Sequence, residues 1–299
     1  MKTVNPQDLQ PNEFYRYMIG SIGPRPIAFA STIDAQGIVN LSPFSFFNIA
    51  GYNPPTLIFT PTINRHGQKK HSLLNLEEVG EVVINIVNYS MVQQMSLASA
   101  EFERGVNEFE KAGFTAVPSD RIKPPRVAES PAAYECVVKQ IIATNTTSLD
   151  SPGAGHLVIC EIVMAHFRDD IFDTSGVIDP HKIDLVARMG ADWYCHAQGD
   201  ALFEVPRPRI GIGVDQIPAN IRNSAILTGN DLGKLGSITT LPTLDEIRDF
   251  RTSGVLDTLF EEAEYGCQYL PDLLHLRAKQ LLAENNVHDA WLTLLQSGT

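Results

Sequence analysis

Residues 65–72, RHGQKKHS, gather Arg65, His66, Lys69, Lys70 and His71 into one short stretch of a chain whose formal net charge is -12. Ser72 stands where an N-cap would open the helical run LLNLEEV that follows. Cations converging on a hydroxyl and a helix N-terminus make a site suited to phosphate, although the same residues read equally well as a solvated basic loop. A second concentration of chemistry is NLSPFSFFN, residues 40–48, where Phe44, Phe46 and Phe47 alternate with serines and asparagines around one proline. Such a mixture can form an apolar wall for a flat ring with polar groups for its heteroatoms, or it can be plain core.

Other constellations carry less. GIGVD at 211–215 lacks the third glycine of a dinucleotide fingerprint, and GNDLGKLG at 229–236 places Leu235 where a phosphate loop needs Ser or Thr, so both read as turns. Asp179, His181 and Asp184 in IDPHKID could ligate a metal but read as a surface turn, and no metal is expected. Neither HExxH nor GxSxG occurs. Cys136, Cys160, Cys195 and Cys267 form no CxxC pair, which argues against structural zinc and a redox disulfide, and Cys136 and Cys160 read as buried thiols.

These residues need elements to hold them. RPIAFASTI, TLIFTPT, EVVINIV, AAYECVVKQIIAT and GHLVICEIVMAHF are β-branched and aromatic runs bounded by Pro, Gly and Asn, and the two longest mix polar with apolar positions as antiparallel strands do. Short helices are expected over 72–79 and 91–112, the latter broken around Gly105. Beyond Pro206 a loop leads to helical patterns at 244–250, 255–264, 271–283 and 287–296. The leucines of the third pattern fall on one face, to be covered by the barrel, a partner or a dimer interface.

The expected organisation is therefore a mainly β domain over 1–205, an antiparallel barrel with helical insertions, and a loop plus α-helical extension over 206–299. The acidic balance repels phosphate backbones and anionic lipid, so neither nucleic acid nor a membrane is an expected partner. The polar N-terminus and the lack of a long apolar run lead to a cytoplasmic expectation.

RPIAFAST (25–32), NLSPFSFFN (40–48), Thr62 through Arg65 to KHSLLN (70–75), EVVINI (81–86), ESPAAYEC (129–136), GHLVICEI (155–162) and RMGADWY (188–194) occur in that order. Together they resemble the flavin reductase-like, FMN-binding split-barrel family over roughly residues 18–198. The resemblance implies an antiparallel Greek-key split barrel, a homodimer, and FMN in a groove near the subunit interface, with NADH or NADPH as hydride donor. It places Ser31 and Thr32 on the ribityl chain and phosphate, Ser45, Phe46, Phe47 and Asn48 along the isoalloxazine edge, and Thr62, Arg65, Lys70 and Ser72 on the phosphate. It sets His156 at the nicotinamide side as the catalytic residue, and Trp193 or Tyr194 as the residue closing the pocket. KHS departs from the usual Lys-Asp-Thr, keeping a hydroxyl and replacing the acid with His71.

The activity so implied is hydride transfer from NAD(P)H to FMN and on to a flavin or another acceptor. The alternatives are a flavoprotein with a different redox acceptor and a non-catalytic FMN-binding or interaction module. In each catalytic case the cofactor supplies the redox chemistry and the protein supplies orientation, electrostatics and exclusion of water.

Overall fold

The structure, a computed structural model, describes residues 1–145, 148–149, 151–266 and 268–298. It divides into two compact units, Met1–Phe203 and Glu204–Thr299. Cys267 lies outside the described residues.

The first unit opens with helix α1 (Pro11–Ser21), which has no buried residue. Strands β1 (Ala28–Ile33), β2 (Val39–Phe44), β3 (Phe47–Tyr52) and β4 (Pro55–Phe59) follow, then α2 (His71–Glu78) and β5 (Glu81–Ile86). Helices α3 (Val92–Leu97) and α4 (Glu108–Ala112) precede a two-residue pair, β6 (Ala116–Val117) and β7 (Arg126–Val127). The long strands β8 (Ala132–Ala143) and β9 (His156–Phe167) come next, followed by α5 (Pro180–Ile183) and a hairpin of β10 (Val186–Arg188) and β11 (Tyr194–His196).

Seven strands form one antiparallel sheet in the order β2-β1-β5-β8-β9-β4-β3. Its two edge strands, β2 and β3, are joined only by Ser45 and Phe46. Laid flat, six inter-strand spacings would separate those edges by roughly 29 Å. The step from Phe44 to Phe47 reaches about 11 Å at most. The sheet must therefore curl back on itself, and bulges in the β8–β9 ladder near Glu135 and Val138 add twist in that direction. Among the described residues no ladder joins β2 to β3.

The curl sorts the core. Ala28, Ala30, Phe59, Val82, Ile84 and Val158, drawn from four strands, pack together on one face. On the other face Phe29 and Leu41 pack against Met91, Met95 and Phe109 from the helical insertions. β1 is buried at all six positions because its side chains alternate between these two clusters. Burying a residue such as Phe29 contributes about 1.5–3 kcal/mol. Cys136 and Cys160 are buried within the first cluster, where hydrogen bonding between the two thiols and then burial push the Cys136 thiol far up, leaving it unreactive.

Several sequence expectations change. The chain is mixed α and β, a large antiparallel sheet with the expected helical insertions and with α1, which the sequence reading lacked. The helix expected over 91–112 with a break around Gly105 is two short ones, and the break is wider, residues 98–107. α2 begins at His71 after Lys70, so Ser72 is inside its first turn and caps nothing.

The second unit contains α6 (Ala219–Arg222), α7 (Gly229–Leu235), α8 (Leu244–Thr252), α9 (Asp257–Tyr265), α10 (Leu270–Ala283) and α11 (Val287–Leu294). GNDLGKLG, read as a turn, is α7: Thr228 and Asp231 form a reciprocal capping box that outweighs its glycines. Ala278, Leu281 and Leu282 of α10 pack with Ile221, Leu235 and Trp291 in a core of the unit's own. The GIGVD glycines serve close packing, since a Cβ on Gly211 would come within 2.6 Å of the Gly236 carbonyl oxygen.

Candidate functional site

Two clefts adjoin at Ser99, and β2 runs along both. Asn40 and Ser42 line a narrow lobe of about 310 Å³, while Pro43 and Ser45 line a wide lobe of about 650 Å³. From Asn40 to Ser45 the extended chain covers roughly 17 Å. The site is thus an elongated groove with chemically different ends.

The narrow end carries both signs of charge, with Lys69 and Lys70 facing Glu101, Glu103 and Glu108. Within the 65–72 loop Lys69 pairs with Glu77 at 2.7 Å and Arg65 with Glu101 at 3.3 Å. Lys70, which lines the lobe, has no carboxylate partner among the described residues. Burial, and then the nearby charges of Arg104 and Lys70, hold His71 below the usual imidazole range, so it does not share the positive charge at neutral pH. Ser72 is buried and donates to Asn40 Oδ1 at 2.6 Å. Asn40 Nδ2 donates to Glu108 Oε1 at 2.7 Å, and the Leu41 backbone N–H donates to Glu108 Oε2 at 2.9 Å. Burial lifts the Glu108 carboxyl above its ordinary range, and Glu101 and Glu103 line the same lobe. The Lys70 ammonium and the Ser42 hydroxyl are donors in this lobe that fit a phosphate, with the Glu103 carboxylate also on its wall.

The wide end is lined by Ile27, Met95 and Val186 together with Tyr89, Tyr194 and Arg188. It offers the apolar and aromatic surface that a flat ring requires. Arg25 supports its rim: the buried guanidinium donates to the Ile19, Ile22 and Met189 carbonyls and, at 3.5 Å, to Ser45 Oγ.

The structure brings Lys70 and Ser72 together in the narrow lobe and Ser45 and Tyr194 in the wide one. It separates the rest. Ser31 and Thr32 are fully buried in β1, where Thr32 accepts from Asn75 on α2 and Ser31 Oγ has no hydrogen-bond partner. Arg65 has a side chain 77% exposed and bonds to His66 and Glu101. Thr62 forms an isolated bridge with Gly155. Phe46 and Phe47 are half-buried, Phe47 against the inner cluster, and Asn48 is exposed on the β3 edge. Trp193 faces a different, broader cleft with Tyr15, Ile19 and Met189. His156, expected at a rim, is only 5% exposed at the start of β9, lines neither lobe, and keeps Nδ1 unpartnered.

Sequence reading missed Glu108, Arg188, Asp184 and His196 as site residues. Of the metal candidates in IDPHKID, Asp179 caps α5 and Asp184 bonds His196. The described residues do bring Asp120, Glu135 and His166 together, within 4.8 Å. Glu135 is already satisfied by the Asp120 and Arg121 amides and by His166 at 2.7 Å.

Residues 21–182 match a family model described as flavin reductase like domain. An uncharacterized protein of Halalkalibacterium halodurans is 33% identical over 69% of this chain and 97% of its own. Among solved structures, nitrilotriacetate monooxygenase component B from Bacillus cereus is 30% identical with a TM-score of 0.64, covering 69% of this chain and 98% of that one. A Shewanella frigidimarina protein described as a flavin reductase with a split barrel domain is 28% identical with a TM-score of 0.58, covering 69% and 99%.

Proposed function

The chain belongs to the flavin reductase-like family, a flavin-binding class of oxidoreductases, and from that premise we propose that it binds FMN along the β2 groove and uses NADH or NADPH to reduce a flavin or another acceptor. Lys70 carries this reading: a cation without a carboxylate partner, beside the Ser42 hydroxyl, at one end of a groove whose other end is aromatic. The phosphate would rest against Lys70 and Ser42. The ring would lie in the wide lobe between the end of β2 and Tyr194, which also lines the lobe. When bound, the cofactor supplies the redox chemistry. The chain's own part is to hold the phosphate, align the ring and exclude water.

In this reading the curled sheet is that of a split barrel, and the protein works as a homodimer. The exposed, uncharged edge strand β3 supports pairing, with Ile49 72% and Tyr52 93% exposed, because a long apolar edge is otherwise blunted by charge or cover. No described helix is long and apolar enough to cross a membrane; the proposed location is the cytoplasm.

A visible spectrum after reconstitution tests the reading. About one FMN per chain, bleached anaerobically by NADH or NADPH, is the expected result. Bound flavin that neither nucleotide reduces would favour a binding module.

A further inference from the structure

Val186, Arg188, Tyr194 and His196 share one face of the β10–β11 hairpin, because Arg188 pairs with Tyr194 and Val186 with His196 while side chains alternate along each strand. All four line the wide lobe. The hairpin lies beyond the residues that the family model matches.

On that face His196 is held in a fixed frame. Its Nε2 donates to Asp184 Oδ1 at 2.6 Å, since an ionised carboxylate only accepts. Its ring stacks on Tyr89, with centroids 4.1 Å apart and planes 14° from parallel. Asp184 is itself anchored: its carbonyl accepts from the Tyr89 amide at 3.0 Å, and its carboxylate from Gln198 Nε2 at 3.3 Å. It adopts φ 56°, a left-handed conformation that is uncommon outside glycine and that the surrounding bonds must hold. His196 Nδ1 is left with no hydrogen-bond partner among the described residues. Beside it the Arg188 guanidinium lies over the Tyr194 ring at 4.6 Å, with no carboxylate partner among the described residues.

A carboxylate-oriented imidazole with one free nitrogen on a cleft wall can give and take protons. An unpaired guanidinium backed by an aromatic ring is suited to an anion next to a flat molecule. We propose that this face is an acceptor subsite, where a planar anionic compound rests its charge on Arg188 and takes a proton from His196 Nδ1, with Asp184 as the positioning residue. The proposal rests on the reading of the wide lobe given above.

For a quinone acceptor the step balances. A hydride equivalent, two electrons and one hydrogen, originates in the reduced pyridine nucleotide, which leaves oxidised. The step starts from the imidazolium form of His196, with Nε2–H on Asp184 and Nδ1–H towards the acceptor: the Nδ1–H bond breaks as the second quinone oxygen gains its hydrogen, giving the hydroquinone and the neutral imidazole. The neutral imidazole recovers its proton from water, which reaches a side chain 37% exposed.

The probes are 1,4-naphthoquinone-2-sulfonate and uncharged 1,4-naphthoquinone. Equilibrium dialysis on the whole protein, with and without FMN, reads binding alone. Arg188→Ala should weaken the sulfonate about tenfold, the loss expected for one charge-assisted contact, and the uncharged quinone less than about twofold. In steady-state reduction by NADH, His196→Ala should lower kcat for the sulfonate about a hundredfold, with its Kd within about twofold and partial rescue by added imidazole. Asp184→Asn should lower kcat about tenfold at an unchanged melting temperature. His196→Gln, which keeps a side chain against Tyr89, covers the case where alanine does not fold and should show the same fall. Sulfonate binding indifferent to Arg188→Ala overturns the subsite. Wild-type kcat in both His196 variants, or a loss that imidazole does not touch, overturns the proton role. Arg188-dependent binding in a protein that retains no FMN overturns the cofactor reading and leaves the anion subsite standing.

Discussion

Ser72 and Asn40 share a buried hydrogen bond of 2.6 Å that ties the first turn of α2 to β2. With Glu108 fixing the Asn40 amide from the other side, the Ser72 hydroxyl is committed to Asn40 as a donor. Lys70 and Ser42, rather than Ser72, are the donors offered to a phosphate.

Lys70→Ala should weaken FMN ten- to a hundredfold, corresponding to loss of a charge-assisted contact worth about 1.5–3 kcal/mol. Riboflavin, without the phosphate, should respond less than about threefold. Arg65→Ala, which removes an exposed group already paired with Glu101, should change FMN affinity by less than about threefold. Fluorescence titration of the flavin gives all three values.

Two buried carboxylates should pull the pH dependence of stability in opposite directions. Burial opposes ionisation of Glu135, but the Asp120 amide, His166 and the Arg121 amide together hold its carboxyl below the ordinary range. Its stabilisation is present above the unfolded value near 4.5 and is lost as pH falls through the lowered folded value. Glu108, raised by burial, contributes most below that unfolded value and loses its contribution as pH climbs through the raised folded one. Denaturant titrations from pH 3 to 8 should show a shallower acid limb for Glu135→Gln. The stability of wild type relative to Glu108→Gln should fall as pH rises.

If β3 is the pairing edge, Ile49→Lys and Tyr52→Glu should each shift the protein from dimer to monomer in light scattering at micromolar concentration. Val163→Lys, on the central strand β9, should leave the dimer intact. A wild-type monomer that binds FMN tightly would remove the dimer from the reading.

His156→Ala empties a buried position and should cost about 1–3 kcal/mol in denaturant unfolding. The KM for the pyridine nucleotide should stay within about threefold. Slower anaerobic flavin reduction at an unchanged melting temperature would instead place the imidazole at the donor's side.

Trp291 is fully buried in the second unit and donates Nε1–H to the Leu235 carbonyl at 3.0 Å. Trp291→Ala should destabilise that unit by about 3–5 kcal/mol, seen as an earlier transition in calorimetry. FMN affinity should stay within about twofold if the cofactor is held by the first unit alone.

The strands were legible where β-branched runs met clear punctuation, as at EVVINI and GHLVICEI. α1 was not read, although Phe14, Met18 and Ile19 recur at helical spacing; none of its residues is fully buried. α7 was obscured by its glycines, whose turn preference is outweighed by a capping box. In the candidate site, Lys70 stood out as charge against an acidic background. Glu108 carried no local signal, for it meets Leu41 across 67 positions and only packing joins them. Likewise His196 and Asp184 are twelve residues apart and become neighbours only through the hairpin.

Within the first unit the β10–β11 hairpin is held by two single bridges, Arg25 with Arg188 and Asn88 with Leu185, by the buried Val186 and by the Tyr89–His196 stack, rather than by a ladder to the large sheet. Its strands are three residues each and contribute little to the seven-stranded sheet. Under the acceptor subsite proposed above, Val186 is fixed by its place in the core, while the partly exposed positions Arg188, Tyr194 and His196 are where acceptor preference can change. A library confined to those positions is accordingly the economical starting point for redirecting this protein to new acceptors.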